Sequence, residues 1–330
     1  MSLGSHRKTI DVHAHLTPQV LIRAKAAGRS LHGVDPSEIA RGQGRSITID
    51  ERIADMELLG EDVQVISAEP QMYCYQYDSS AAAAIHRECN DEVAEHVRAR
   101  PDRFKGFAIL PMQDVRAAIA ELERATSVLG LAGAMIGDHV NGTMYDDARF
   151  APLWSAAEQL GAILFLHQAS PTLVASRFDR YHLSNTVGNP VERTLSFAAL
   201  VFGGVIDAHP SLRFVLGHGG GYAPYAAGRM DWGWRWRAEA REHISGPPSE
   251  YLGRFHYDCI THSEAALRFL VDVAGIDRVV FGTDYPGFAA GKEGAGYRPR
   301  EWLESLDRLT AAEKSSILGA NAERLFTRAS

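Results

Sequence analysis

The segment Asp11-Val12-His13-Ala14-His15 sets two histidines two residues apart at the end of an apolar, β-branched run. Side chains alternate faces along a strand, so His13 and His15 point the same way. Neutral imidazole is a good ligand for zinc and similar ions, and a rigid strand holds two imidazoles at the separation an ion needs. On its own such a pair reads as two packed or surface histidines. Three more residues change that reading. His167 closes the run Ile163-Leu164-Phe165-Leu166, His218 follows Phe214-Val215-Leu216-Gly217, and Asp284 follows Val279-Val280-Phe281-Gly282-Thr283. An unpaired polar group at the end of a buried apolar strand is costly, so five of them imply a shared partner. The partner that fits is a divalent cation among His13, His15, His167, His218 and Asp284. His218 has an imidazole whose ordinary pKa lies near neutrality and glycines on both sides, which suits a catalytic acid or base that substrate approaches closely. Its alternative role is a further ligand or an orienting residue. Asp284 is expected to serve both the ion and the reaction.

The elements that must carry these residues alternate along the chain. Apolar runs occur at 9–12, 63–67, 104–110, 131–136, 162–166, 213–216, 254–258 and 278–281, with helical patterns after most of them. Continuous apolar runs of this length suit parallel strands covered on both faces. Eight such units predict an α/β fold, a closed (β/α)₈ TIM barrel, and the five polar residues then fall on its C-terminal rim, where such barrels build active sites. A doubly wound open sheet is the rival, but it would place a glycine-rich phosphate loop where this chain has His13-Ala14-His15. One domain is expected over 8–328. Residues 16–50, with Pro18, Gly28, Gly33, Pro36 and Gly42-Gln43-Gly44, read as an irregular, lid-like insertion after the first strand. Residues 1–7 read as a disordered or vector-derived start.

Composition narrows the function classes. The 330 residues are 45% hydrophobic and 23% charged, enough for a large core without staples. A net charge of −7 with no basic run argues against nucleic acid as a partner. No stretch offers the apolar length of a membrane span or a signal peptide. Cys74, Cys89 and Cys259 have unrelated spacings, so neither disulfides nor a thiolate metal site is indicated, and a cytoplasmic location fits. Cys259 reads as packing, and His262 as either a residue facing the site or a helix start. Small molecules remain as partners.

The motifs also carry a resemblance. Asp11-x-His13-x-His15, Gly217-His218-Gly219-Gly220-Gly221 and Gly282-Thr283-Asp284-Tyr285-Pro286 resemble the amidohydrolase superfamily, in the branch around 2-amino-3-carboxymuconate 6-semialdehyde decarboxylase. The likeness extends through Asn185-x-x-Gly188-Asn189-Pro190, Phe202-Gly203-Gly204-Val205, Gly228-Arg229-Met230-Asp231 and Pro248-Ser249-Glu250-Tyr251. It implies an amidohydrolase-like barrel with a zinc or similar ion on His13, His15, His167 and Asp284, and a catalytic His218. It further implies that Arg237 reaches a neighbouring subunit's site, in a homodimer, to bind a substrate carboxylate, with Arg45 as a second substrate-binding residue from the lid. The planar fork of arginine suits that task. Gln168 departs from the proline common after the strand-five histidine, which leaves the substrate open. No lysine stands at a strand end to bridge two metals, so a single ion is expected, with zinc first and manganese, iron or cobalt compatible.

These features predict a metal-dependent decarboxylase of a small carboxylate, such as an aminocarboxymuconate semialdehyde or a hydroxybenzoate-type acid. Such an ion lowers the pKa of a bound water, so hydrolysis or hydration of a related ring-cleavage product is the chemical alternative. A non-catalytic metal-binding protein is the alternative of another class. Tyr222, Trp232, Trp234 and Trp236 read as either an aromatic wall, a dimer contact or core.

Overall fold

The structure is a computed structural model that describes residues 7–39, 47–168, 172–175, 180–287 and 298–327. Its strands run β1 (Ile10–Leu16), β2 (Val63–Ala68), β3 (Phe104–Gly106), β4 (Ala108–Ile109), β5 (Gly133–Ile136), β6 (Ile163–Leu166), β7 (Arg213–Leu216), β8 (His256–Asp258) and β9 (Val279–Val280). Every pairing between them is parallel. The order β1-β2-β3 forms one sheet and β4 to β9 a second, each strand beside its sequence neighbour. β3 and β4 are two halves of one barrel strand, parted at Phe107, whose N–H still donates to Ile66 O at 3.0 Å, an ordinary ladder distance. The other gap is closed by the chain after β9. Val12 N donates to Phe281 O at 2.9 Å, Asp284 N to His13 O at 2.8 Å and His15 N to Tyr285 O at 2.6 Å. The two sheets thus form the eight-stranded ring expected from the sequence.

The helices cover this ring. They are α1 (Gln19–Ala26), α2 (Pro36–Ile39), α3 (Ile49–Leu59), α4 (Ser79–Ala99), α5 (Val115–Ser127), α6 (Ala151–Leu160), α7 (Thr172–Ala175), α8 (Asn189–Phe202), α9 (Val205–Ala208), α10 (Ala223–Trp236), α11 (Glu264–Ala274), α12 (Pro299–Ser305), α13 (Ala311–Ser315) and α14 (Asn321–Phe326). Local sequence sets their ends. Thr48 and Glu51 form a reciprocal capping box on α3, and Gly60, at φ 73°, ends it in the left-handed region. Ser263 caps α11, which buries Leu267, Leu270, Val271 and Ala274 at helical spacing. Gly133 opens β5 at φ 151°, where a Cβ would lie 2.0 Å from Ile163 O, so no side chain is tolerated between β5 and β6.

The segment expected as an irregular lid is more ordered than its glycines and prolines suggest. Its first residue, Leu16, belongs to β1, and α1 and α2 follow within it. Pro18 and Pro36 stand at helix starts, where a missing N–H costs nothing, so they initiate helices here instead of interrupting structure. The region 40–46, including Arg45, lies outside the described residues.

Candidate metal centre and active-site cavity

The five residues singled out by their positions meet at one end of the barrel. His13 and His15 lie on one face of β1, with Nε2 atoms 3.1 Å apart. The ring of His167, just past β6, lies 4.8 Å from each of their centroids. His218, past β7, lies 5.2 Å from His13 and 5.1 Å from His167. Asp284, past β9, turns Oδ1 toward the imidazoles, 3.3 Å from His13 Nε2, 3.2 Å from His15 Nε2 and 4.0 Å from His167 Nε2. Its Oδ2 is 3.5 Å from His218 Nε2. One ligand atom each from His13, His167, His218 and Asp284 falls within 4.8 Å of the others, and His15 abuts the same group. His218 at φ 55° and Asp284 at φ 58° adopt the left-handed backbone that non-glycine residues avoid, a strain that the packed surroundings must hold.

The outer nitrogens explain why the inner ones are suited to a cation. His13 Nδ1 sits 2.7 Å from Asp258 Oδ2, His15 Nδ1 3.1 Å from Ser67 Oγ, and His167 Nδ1 donates to Gln168 O at 3.0 Å. A proton on each outer nitrogen leaves a bare lone pair on each Nε2. Those lone pairs face one another around a carboxylate, and His167 Nε2 is buried with no hydrogen-bond partner. Three lone pairs and an anion in contact repel unless a positive charge lies among them, so the donor set fits a single divalent ion.

The electrostatics say the same. Burial disfavours protonation of His13, yet the Asp284 and Asp258 carboxylates outweigh it and raise its pKa to about 10. Burial lowers His15 and, with the neighbouring imidazoles, holds His167 well below its ordinary value. Burial opposes ionisation of Asp284, but His13 and the contacts from His15 and His218 hold it well below the usual carboxylate range. Without an ion the site therefore keeps one proton on His13, between two carboxylates, in the place a cation would take.

Asp258 and Ser67 are the functional residues that sequence reasoning missed. Asp258, fully buried at the end of β8, accepts from His13 Nδ1, from His218 N at 2.8 Å, from Gly219 N at 2.8 Å and from Ile260 N at 3.1 Å. It orients a ligand and fixes the turn that carries His218. The available signal was position: Asp258 ends a barrel strand, as Asp284 and His167 do. Behind β1, Arg52 Nη2 donates to His15 O at 2.6 Å and its guanidinium lies 4.7 Å from the centre of the Tyr285 ring. Tyr73 donates to His167 O at 3.1 Å.

The metal centre opens onto a cavity of about 750 Å³ whose wall includes His218, Asp284 and His262. The rest is largely apolar or aromatic, with Pro190, Tyr225, Ile260, Phe269 and Leu270 among its residues, and no Lys or Arg lines it among the described residues. His262 faces this cavity, resolving its two readings. Arg237 is exposed at the C-terminal cap of α10 and does not line the cavity of its own chain. Cys259 is buried and free, and burial raises its thiol pKa to about 12, as a packing residue requires.

A parallel eight-stranded ring with a His- and Asp-lined centre at its C-terminal rim defines a metal-dependent barrel enzyme. The chain belongs to the amidohydrolase family, which matches residues 10–328. It is 36% identical over 274 residues to 2-amino-3-carboxymuconate-6-semialdehyde decarboxylase of Dictyostelium discoideum, covering 83% of this chain and 75% of that protein. It is 30% identical over 290 residues to gamma-resorcylate decarboxylase of Rhizobium radiobacter, covering 84% of this chain and 86% of that one. Among solved structures, a dihydroxybenzoic acid decarboxylase from Polaromonas sp., with bound manganese and the inhibitor 2-nitroresorcinol, superposes with a TM-score of 0.80 at 26% identity, over 97% of both chains.

Proposed function

We propose that this chain is a metal-dependent decarboxylase, a carboxy-lyase acting on a small acid with a planar, unsaturated body of the hydroxybenzoate or aminocarboxymuconate semialdehyde type. The observation that carries the reading is the joining of the cation-demanding donor set to an apolar cavity through His218 and Asp284. The metal ligands are His13, His15, His167 and Asp284. A divalent ion held there would supply Lewis acidity, offsetting the negative charge that develops on the substrate.

The chain's own groups do the rest. Ile260, Phe269 and Leu270 exclude water from the ring or diene, and the carboxylate is directed to the polar end beside His218. His218 Nε2 and Asp284 Oδ2, 3.5 Å apart at the cavity wall, are the groups placed to pass a proton to the substrate. Delivered to the carbon that bears the carboxylate, this proton allows the C–C bond to break. The bonding electron pair returns to the unsaturated body and CO₂ leaves. The removal of a carboxylate from a carbanion-like carbon thus needs no cofactor beyond the ion.

Manganese in the Polaromonas enzyme and the mixed nitrogen and oxygen ligands support Mn²⁺ alongside the Zn²⁺ expected from the sequence. A homodimer is also proposed. Tyr225, Trp232 and Trp236 on α10 are 83%, 56% and 65% exposed, an aromatic face beside Arg237 that a second copy would cover. Covering it is the route by which Arg237 would reach the partner's cavity, and Arg45 is the second candidate for a substrate carboxylate. A cytoplasmic location is proposed from the three buried, free cysteines, and no described helix is long and apolar enough to cross a membrane. The test is CO₂ release from metal-loaded protein across a panel of hydroxybenzoates and muconate semialdehyde acids. Release by the wild type and not by His218→Ala supports the reading. Consumption of substrate without CO₂ would assign hydration or hydrolysis to the same centre.

A further inference from the structure

The opposite end of the barrel holds a second cavity, of about 960 Å³, at the N-terminal ends of β7, β8 and β9. Arg213, Arg254, Arg278 and Arg324 line it, against only two acids, Glu158 and Asp277. A cationic pocket of this kind is notable in a chain of net charge −7. Both acids are already engaged. Glu158 accepts from Ser211 N at 2.7 Å and lies 3.1 Å from His209 Nδ1, and Asp277 pairs with Arg324 at 2.7 Å. Arg254 donates to Pro210 O at 2.7 Å, a neutral acceptor that leaves its charge unbalanced. The Arg278 guanidinium has no hydrogen bond or ion pair among the described residues. Between them lies His256, whose Nδ1 is buried with no hydrogen-bond partner. Burial and the charges of Arg278, Arg213 and Arg324 push its pKa down to about 4, so it is neutral at physiological pH.

A basal face that served only stability would pair its charges, since uncompensated like charges around a neutral imidazole raise the energy of the fold. We propose that this basal cavity binds a small anion with two or more negative charges, of phosphate or polycarboxylate chemistry, through Arg278 and Arg254 with His256 as a neutral hydrogen-bonding partner. The guanidinium fork matches the oxygen spacing of phosphate and carboxylate. The site is separate from the metal centre, with no lining residue in common.

The experiment is calorimetric titration of the metal-loaded full chain with inorganic phosphate and, separately, malonate, each at constant ionic strength against chloride. The two anions distinguish phosphate from carboxylate preference. Saturable binding of either, weakened about tenfold or more in Arg278→Met and unaffected by His262→Ala at the other mouth, is expected. Arg278 contacts no acceptor, so its replacement leaves the fold intact, and Arg254→Met provides an independent variant. Heats that never saturate, wild-type affinity in both Arg278→Met and Arg254→Met, or loss of binding only in His262→Ala would overturn the proposal, the last two by placing the anion away from the basal cavity.

Discussion

Replacing Asp258 with asparagine tests whether the carboxylate behind His13 sets the behaviour of the whole centre. Its two oxygens take four donors: Oδ2 receives His13 Nδ1 and His218 N, and Oδ1 receives Gly219 N and Ile260 N. Asparagine keeps one oxygen, so in either orientation two donors face an amide N–H₂. Each buried donor left without an acceptor costs about 1–3 kcal/mol, so the metal-free variant should lose roughly 2–6 kcal/mol of stability. Loss of the charge behind a ligating imidazole weakens metal binding by about 10–100-fold. A second readout separates orientation from damage. In the wild type, an incoming ion expels the proton that His13 holds up to a pKa of about 10, so apparent affinity should rise about tenfold per pH unit between neutrality and that value. Asp258→Asn removes one of the two carboxylates that raise this pKa, so the rise should level off at lower pH. The assay is metal competition with a chelator from pH 6.5 to 9, beside urea unfolding of the metal-free proteins. A variant whose affinity stays within roughly threefold of wild type, with the same pH dependence, would refute the orienting role.

Other perturbations reach separate parts of the argument. His13 is raised from 6.5 to about 10 in the folded, metal-free chain, so its contribution to stability is complete below about 6.5 and is lost as pH rises toward 10. Asp284 is depressed below 3.8, so its contribution is present above about 4 and fades as pH falls further. Urea midpoints of metal-free protein should therefore fall on both sides of a mildly acidic maximum, and bound ion should remove the alkaline decline; an unchanged alkaline decline with stoichiometric metal would count against His13 as a ligand. His13→Ala with His15→Ala should strip the ion and leave the far-ultraviolet circular dichroism near that of wild type, and elemental analysis showing one retained ion per chain would sink the ligand assignment. Arg193 and Asp138 form a buried pair at 2.8 Å, so Arg193→Met should cost about 3–5 kcal/mol by stranding the carboxylate; a loss under 1 kcal/mol in chemical unfolding would show Asp138 to be satisfied otherwise. Arg237→Ala should raise KM for the substrate while leaving metal content unchanged, and an unaltered KM would remove Arg237 from substrate binding.

The barrel and its five rim residues were legible because each follows an apolar run whose end can be located in one dimension. Phe165-Leu166-His167 shows the rule plainly: a buried strand stops at a polar side chain, and a parallel barrel gathers all such stops on one rim. Asp258 obeys the same rule and escaped it, because the strand read at 254–258 mixes polar and apolar residues, so its last carboxylate does not stand out as a stop, and donors to it come from residues 218 and 219 on another loop. The helices within the insertion after the first strand, α1 and α2, were hidden for the converse reason. Proline marks helix starts as well as breaks, and only the surroundings choose between them. Arg213, Arg254 and Arg278 stand at or just before strand beginnings, where a charge ordinarily reaches solvent, and Arg324 lies on α14, so nothing local reveals that the four converge. The residues that sequence exposes best are thus those whose role depends on which end of a strand they occupy. The residues it hides are those that hold such residues in place, and for Asp258 the difference is measurable: it should govern the pH dependence of a metal it does not touch.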